Sequence, residues 1–166
     1  VSCFGDNSGT ISVNAVGGTL PYSYSWNTGD TTSTITNLSA GIYYCEVTDT
    51  NNCIATDTVT IVEPSLISTT STITNVSCNG DTDGNAILSI SGGTPGYSED
   101  WGANNPNSLS EGTYSYTITD TNGCNFSDYV TITEPQILSA NYTQTNVSCN
   151  GFIDGSASVS ISGGTT

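Results

Sequence analysis

Apolar and polar residues alternate with a period of two along much of this chain, and the alternation recurs in register. Ile11, Val13 and Ala15 form one stripe, which Ala86, Leu88 and Ile90 repeat and Ala157, Val159 and Ile161 repeat again. A period of two places such residues on one face of a β-strand, and a shared inward face is the simplest cause of the recurrence. Tyr22, Tyr24 and Trp26, separated by serines, predict a second strand with its aromatics on one side; Glu99 takes the middle position in the next copy, so that face is half exposed. Thr34 to Leu38 predicts a short strand. Tyr43, Cys45 and Val47, matched by Tyr114, Tyr116 and Ile118, predict another, followed by Asp-Thr-Asn turns at 49–51 and 120–122. Val59 and Ile61, or Val130 and Ile132, mark the last strand. No stretch shows the 3.6-residue period of a helix. Six or seven short strands in roughly 70 residues, with Gly, Asn and Asp between them, predict an all-β chain of tandem small Ig-like β-sandwich repeats in a linear array.

The repeat is also visible as text. VSCFGDNSG begins at Val1, VSCNGDTDG at Val76 and VSCNGFIDG at Val147. Cys3, Cys78 and Cys149 each precede the first glycine of a Gly-Gly-Thr by 14 residues, and Trp26 and Trp101 each follow the second glycine by 8. All of the length difference falls between the tryptophan and Leu38 or Leu109, a mark of a surface loop. The Glu-Pro pairs at 63–64 and 134–135 are the boundary candidates, because proline lacks a ladder donor and biases its predecessor toward extended geometry. The expected division is 1–64, a repeat lacking its first segment; 65–135, a complete repeat; and 136–166, the opening of a third. Neither end is expected to be a natural domain end, and any export signal is expected outside this sequence.

Composition then narrows the function. The 166 residues include 15 Asp and Glu but no Lys, Arg or His, for a net charge of -15. Nucleic-acid binders neutralise phosphate with Lys and Arg, and attraction to anionic lipid headgroups needs the same groups. Neither nucleic acid nor direct membrane insertion is an expected partner. General acid and base chemistry most often uses His, and nucleophilic sites need a base or a lysine. The expectation is therefore a protein without catalytic activity and without a cofactor, weakly bound calcium excepted. A core near 60 residues is marginal by itself, so disulfides are the expected supplement.

Two cysteines recur per repeat. The favoured pairing closes each repeat on itself, Cys3 with Cys53 and Cys78 with Cys124, leaving Cys149 for a partner beyond 166. The alternative joins Cys53 to Cys78 and Cys124 to Cys149, at a constant spacing of 25. Spacing does not decide between them. Cys45 has no counterpart, since Tyr116 holds its place, and reads as a buried thiol acting as a small hydrophobe.

VSCxGxxxG, Gly-Gly-Thr, PYSYSW, the leucine before Ser-Ala-Gly, the Gly-x-Tyr strand and the Asp-x-Asn-x-Cys turn together resemble the SprB repeat family, found in many copies in very large surface adhesins of gliding bacteria of the Bacteroidota phylum. WNTGDTT is also similar to the turn of PKD domains, a related Ig-like module. The resemblance implies export to the cell surface, by the type IX route, and display as a long filament contacting a substratum. Its implied partners are neighbouring repeats of the same chain and surface polysaccharide.

Three sets of residues could carry chemistry. Asn79-x-Asp81-x-Asp83-Gly84 has the alternating oxygens and the glycine of a calcium loop, although a hydrogen-bonded turn is the favoured account and no glutamate occupies the twelfth position. Tyr22, Tyr24 and Trp26 could stack on sugars, against a reading as core packing. Thr31 and Thr58 lie in Asp-Thr-Thr and Asp-Thr-Val, similar to the O-glycosylation sequence of Bacteroidota. Glu99 and Asp100, as strand neighbours, point to opposite faces and make a poor glycosidase pair. The function expected from all of this is a structural stalk of a surface adhesin, with a carbohydrate-binding module or an accessory region of an exported enzyme as the alternatives.

Overall fold

The computed structural model describes residues 1–165, and every regular element among them is a β-strand. In chain order these are β1 (Gly9–Ser12), β2 (Ser23–Trp26), β3 (Thr34–Leu38), β4 (Gly41–Thr48), β5 (Ile54–Ile61), β6 (Ser68–Thr74), β7 (Asn85–Ser91), β8 (Ser98–Asp100), β9 (Gly112–Thr119), β10 (Asn125–Ile132), β11 (Ser139–Thr145) and β12 (Ser156–Ser162). The all-β class read from the alternation is what the chain adopts.

In the first repeat β1 pairs with β3, and β2, β4 and β5 form a separate sheet in the order β2-β4-β5. Both are antiparallel, with Ile11 opposite Ile35 in one and Trp26 opposite Cys45 in the other. The inward residues of the two sheets meet in one core of Trp26, Ile35, Leu38, Tyr43 and Cys45, flanked by Ile11, Val13, Tyr24, Val47 and Ile61. These are the apolar positions of the period-two stripes, so burying one face of each sheet against the other is the driving term of the fold. Gly9 makes the closest approach: a Cβ there would lie 2.6 Å from the Leu38 carbonyl oxygen and 2.9 Å from Ile61 Cδ1. Gly84 repeats this against Leu109 and Ile132, at 2.7 and 2.8 Å, which explains the closing glycine of VSCxGxxxG.

In the second repeat the sheets are β6-β7 and β10-β9-β8. Val76, Ala86, Trp101, Leu109, Tyr116, Ile118, Val130 and Ile132 are buried, and the Trp101 and Tyr116 rings pack with centroids 5.0 Å apart. The counterpart of β3 shrinks here to a single bridge between Gly84 and Leu109. Four residues are missing from this loop and Pro106, which has no N–H to give, sits one residue into the would-be strand.

Strands β6 and β11 are additions to the elements the sequence predicts. Their sequences, STTSTIT and SANYTQT, bury almost nothing. Each instead supplies an edge to β7 or β12, as in the register Ser139↔Ser162 through Thr145↔Ser156. The first repeat has no such strand among the described residues, and β1 is correspondingly four residues long where β7 and β12 are seven.

The chain divides into two compact units. One comprises Val1–Ser68, Ile90–Ser98 and Thr119–Phe126; the other comprises Thr69–Ser89, Glu99–Ile118 and the residues from Ser127 onward. The first unit thus takes in the Gly-Gly-Thr loop and the Asp-x-Asn-x-Cys turn of the second repeat.

Candidate functional site

The chemistry of this protein lies in two kinds of loop. The first is the opening VSC segment. The Val1 amino group donates to the Val62 carbonyl at 3.0 Å and the Gly5 N–H donates to Glu63 Oε2 at 2.7 Å, so the loop is tied to the Glu-Pro end of β5. The second copy is anchored the same way, with Gly80 N–H on Glu134 Oε2 at 2.8 Å and Asn79 Nδ2 on Glu134 Oε1 at 2.6 Å. The Glu of each Glu-Pro pair is therefore the anchor of its own repeat's opening loop.

The second kind is the Asp-x-Asn-x-Cys turn at the other end of the last strand. Asp49 is buried, its Oδ1 accepting from the Asn51 and Cys53 amides at 2.8 and 2.9 Å and its Oδ2 from the Thr19 amide at 2.9 Å. Asp120 accepts from Asn122, Cys124 and Thr94 at 2.9, 2.9 and 2.8 Å. Amide donation, led by Cys53 for Asp49 and by Thr94 for Asp120, holds both carboxyls below their ordinary range. Asn52 and Gly123 adopt positive φ, 64° and 82°, to complete the turn. Sequence reading marks these positions as turns but misses that each Asp clamps the Gly-Gly-Thr loop onto the cysteine turn; the signal is the joint recurrence of both motifs.

The bridge joins one loop kind to the other. Cys3 is bonded to Cys124, with Cα atoms 5.6 Å apart and 121 residues between them in sequence. Asn122 Nδ2 donates to the Ser2 carbonyl at 3.1 Å beside it and to Thr94 Oγ1 at 2.8 Å. Phe4, Pro64, Leu66 and Ile67 line an adjoining hollow of about 260 Å³.

This corrects both expected pairings. Cys53, Cys78 and Cys149 are free and exposed. The reason is the length of the last strand. Cys53 immediately precedes β5, whereas Cys3 belongs to the loop fixed at its far end, and eight residues of strand rise about 26 Å at roughly 3.3 Å each. A disulfide needs Cα atoms roughly 4.4 to 6.8 Å apart. The same argument across β10, also eight residues, keeps Cys78 from Cys124. The alternative of Cys124 with Cys149 is excluded because Cys124 is already bonded to Cys3.

The remaining candidate residues fall as follows. Cys45 is a buried free thiol, 2% exposed, and burial pushes its pKa up, which opposes thiolate formation. Trp26 is 4% exposed, with its indole N–H on the Thr32 carbonyl at 2.8 Å; Tyr24 packs against the core, and the Tyr22 hydroxyl donates to the Gly17 carbonyl. The three do not form a flat exposed face. Asp83 Oδ1 accepts from the Ser77 amide at 2.9 Å and Asp81 Oδ2 from the Ser77 hydroxyl at 3.4 Å. Asp154 repeats the first of these with Ser148 at 3.0 Å. Both carboxylates of the calcium-loop motif thus serve a turn, and among the described residues no three Asp, Glu, His or Cys converge as a ligand set. Thr31 and Thr58 are exposed.

One groove stands out, about 380 Å³ and lined in part by Val13, Ala15, Tyr22, Cys45 and Val47. In the second repeat the equivalent end receives the chain leading into β6. There Ile67 is 4% exposed, the Gly93 amide donates to the Ser65 carbonyl at 2.7 Å, and Thr69 and Tyr116 hydroxyls meet at 2.7 Å.

The periodic motifs, the sandwiches and the turn system agree with a comparison against known families. The profile of the SprB repeat matches residues 1–31, 70–104 and 141–166, together more than half of the chain. The chain belongs to the SprB repeat family. The three matched segments of this SprB repeat chain each hold an opening VSC loop, at Cys3, Cys78 and Cys149. SprB repeats belong to cell-surface proteins, and a disulfide accords with an extracellular location. No curated protein and no solved structure matches this chain.

Proposed function

We propose that this SprB repeat region is a stalk segment of a large exported surface adhesin used in gliding or attachment, and that it carries no catalytic activity. The observation that carries the reading is the Cys3–Cys124 bond, a covalent tie between the opening loop of one repeat and the turn of the next. Such a tie resists separation of neighbouring modules, which is what a load-bearing spacer requires. Two further features support it. Tyr22, Tyr24 and Trp26, the aromatics expected for sugar contact, are buried or half-buried, and no cationic side chain is present for nucleophilic or polyanion chemistry. Reach comes from copy number in arrays of this kind, since each repeat interacts mainly with its neighbours. Export through the type IX route and contact with a polysaccharide-coated substratum belong to the same proposal, as does low-affinity calcium at the uncompensated carboxylates.

The test is a swap in a bacterium carrying the full-length protein. Replacing this segment by an unrelated sandwich array of equal length should preserve attachment and movement, because a spacer is defined by its length and strength. If the swapped strain were displayed normally yet failed to attach, the segment would be making specific contacts and the stalk reading would fall.

A further inference from the structure

The bond between Cys3 and Cys124 defines a rule rather than a single event. Cys3, Cys78 and Cys149 occupy the same place in the same loop. In each, the carbonyl of the cysteine accepts from the amide three residues on, at 3.2, 3.1 and 3.1 Å, and the intervening glycine has positive φ, 72°, 85° and 91°. Cys53 and Cys124 likewise occupy the same place in the Asp-clamped turn, each amide 2.9 Å from its aspartate. One member of each class is bonded, and the bond runs from the opening cysteine of one repeat to the turn cysteine of the following repeat.

We propose that this is one rung of a disulfide ladder: in an array of SprB repeats of this kind, every opening cysteine is bonded to the turn cysteine of the next repeat. Cys53 is then the acceptor for the opening cysteine of a repeat on its N-terminal side, and Cys78 the donor to the turn cysteine of a repeat on its C-terminal side. Cys149 has the same role as Cys78, one repeat later.

Three observations support the assignment. First, the length of the last strand keeps both cysteines of a repeat apart, so neither Cys53 nor Cys78 has a partner at home. Second, both are exposed, as a thiol awaiting an outside partner must be. Third, the polar contact that accompanies the bridge is prepared in the first repeat. Asn51 Nδ2 donates to Thr19 Oγ1 at 2.9 Å, as Asn122 does to Thr94, and its second N–H has no partner among the described residues where Asn122 holds Ser2. The inference depends on tandem repetition alone and not on what the stalk attaches to.

Each rung forms by loss of two protons and two electrons from two thiols. The electrons pass to a disulfide oxidant, such as oxidised glutathione, which is reduced to two thiols.

The test joins the chain to itself at its own period, residues 1–146 followed directly by residues 1–166, so that the opening loop at Val1 of the second copy takes the place of the one at Val147. One variant carries Cys53→Ser in the first copy and Cys78→Ser in the second. It keeps Cys78 and Cys53 as the donor and acceptor of the new rung. A second variant carries the reciprocal substitutions, keeping Cys53 of the first copy and Cys78 of the second, which the ladder leaves unpaired. After refolding with oxidised and reduced glutathione, iodoacetamide labelling and non-reducing peptide mapping should show Cys78 of the first copy bonded to Cys53 of the second in the first variant, with labelling of both lost. In the second variant Cys53 and Cys78 should both label fully. All substitutions replace exposed thiols, so folding is checked by the Cys3–Cys124 peptide in both. Recovery of Cys78 of the first copy and Cys53 of the second as free thiols in the first variant, or a bond between Cys53 and Cys78 in the second, would overturn the ladder.

Discussion

Replacing Cys124 by serine removes the single bond that ties the first opening loop to the second turn. The loop it closes spans 121 residues, and chain-entropy arithmetic for a loop of that length gives about 5 kcal/mol at 25 °C. Much of that constraint acts on the unfolded chain, so the loss should appear as a lower midpoint in urea with little change in the far-UV spectrum of the folded protein. Cys3→Ser should lose the same amount, and the Cys3→Ser, Cys124→Ser double variant no more than either, because one interaction is being removed twice. Cys53→Ser and Cys78→Ser, at exposed unbonded positions, should each stay within about 0.5 kcal/mol of the parent. Tryptophan fluorescence follows the transition, with Trp26 reporting on the first repeat and Trp101 on the second. A Cys124→Ser protein as stable as the parent, or a Cys53→Ser protein with a loss of several kcal/mol, would refute the reasoning.

Four further outcomes are expected. Asp49 and Asp120, with carboxyls held low by amide donors, and Asp83 and Asp154, held low first by the Ser77 and Ser148 side chains, contribute stability that is fully present above the unfolded value of about 3.9. It is lost as pH falls through the folded values, so acid titration followed by circular dichroism should show a steep late loss that Asp120→Asn makes shallower. Raising salt from about 0.01 M to about 1 M shortens the screening length from roughly 30 to 3 Å, and with a net charge of -15 and no cationic side chain the melting temperature should rise; no rise would contradict the repulsion argument. Gly92→Ala should destabilise more than Gly17→Ala, measured by urea melts. Both have φ near +80°, yet the added Cβ meets the Leu66 carbonyl at Gly92 and nothing within 4 Å at Gly17. Ile118→Ala, at a side chain with 0% exposure, should cost about 2 to 5 kcal/mol by leaving a cavity.

What the sequence discloses is what burial writes into it. The stripes of Ile11, Val13, Trp26, Tyr43 and Ile61 alternate because one face of each segment is covered, and the strands fall where the alternation puts them except at β1, which ends at Ser12 although Val13 still packs on the core. Strands β6 and β11 escape because they pair at an edge with almost all side chains exposed, so their only signal is a few β-prone residues, Thr and Ile in one and Thr and Tyr in the other. The roles of Asp49 and Asp120 escape for a different reason: a carboxylate serving amides from two separate loops leaves no periodic trace, only two motifs recurring together.

The disulfide pairing shows the same limit. Closing each repeat on itself is the usual economy of small exported domains, but it neglects that the two cysteines flank a strand of eight residues and so lie at opposite ends of the sandwich. Spacing along the chain records neither end. Only the anchoring of the opening loop on Glu63, and of the turn on Asp49, fixes which end each thiol occupies.

The most direct measurement is non-reducing peptide mapping of the oxidised chain, cut at its acidic residues because Lys and Arg are absent. The account predicts a linked pair carrying Cys3 and Cys124, with Cys53, Cys78 and Cys149 recovered as alkylated thiols and Cys45 alkylated only after unfolding. Recovery of Cys3 with Cys53 and Cys78 with Cys124 would contradict it, and with it the idea that sulfur fastens each repeat to its successor.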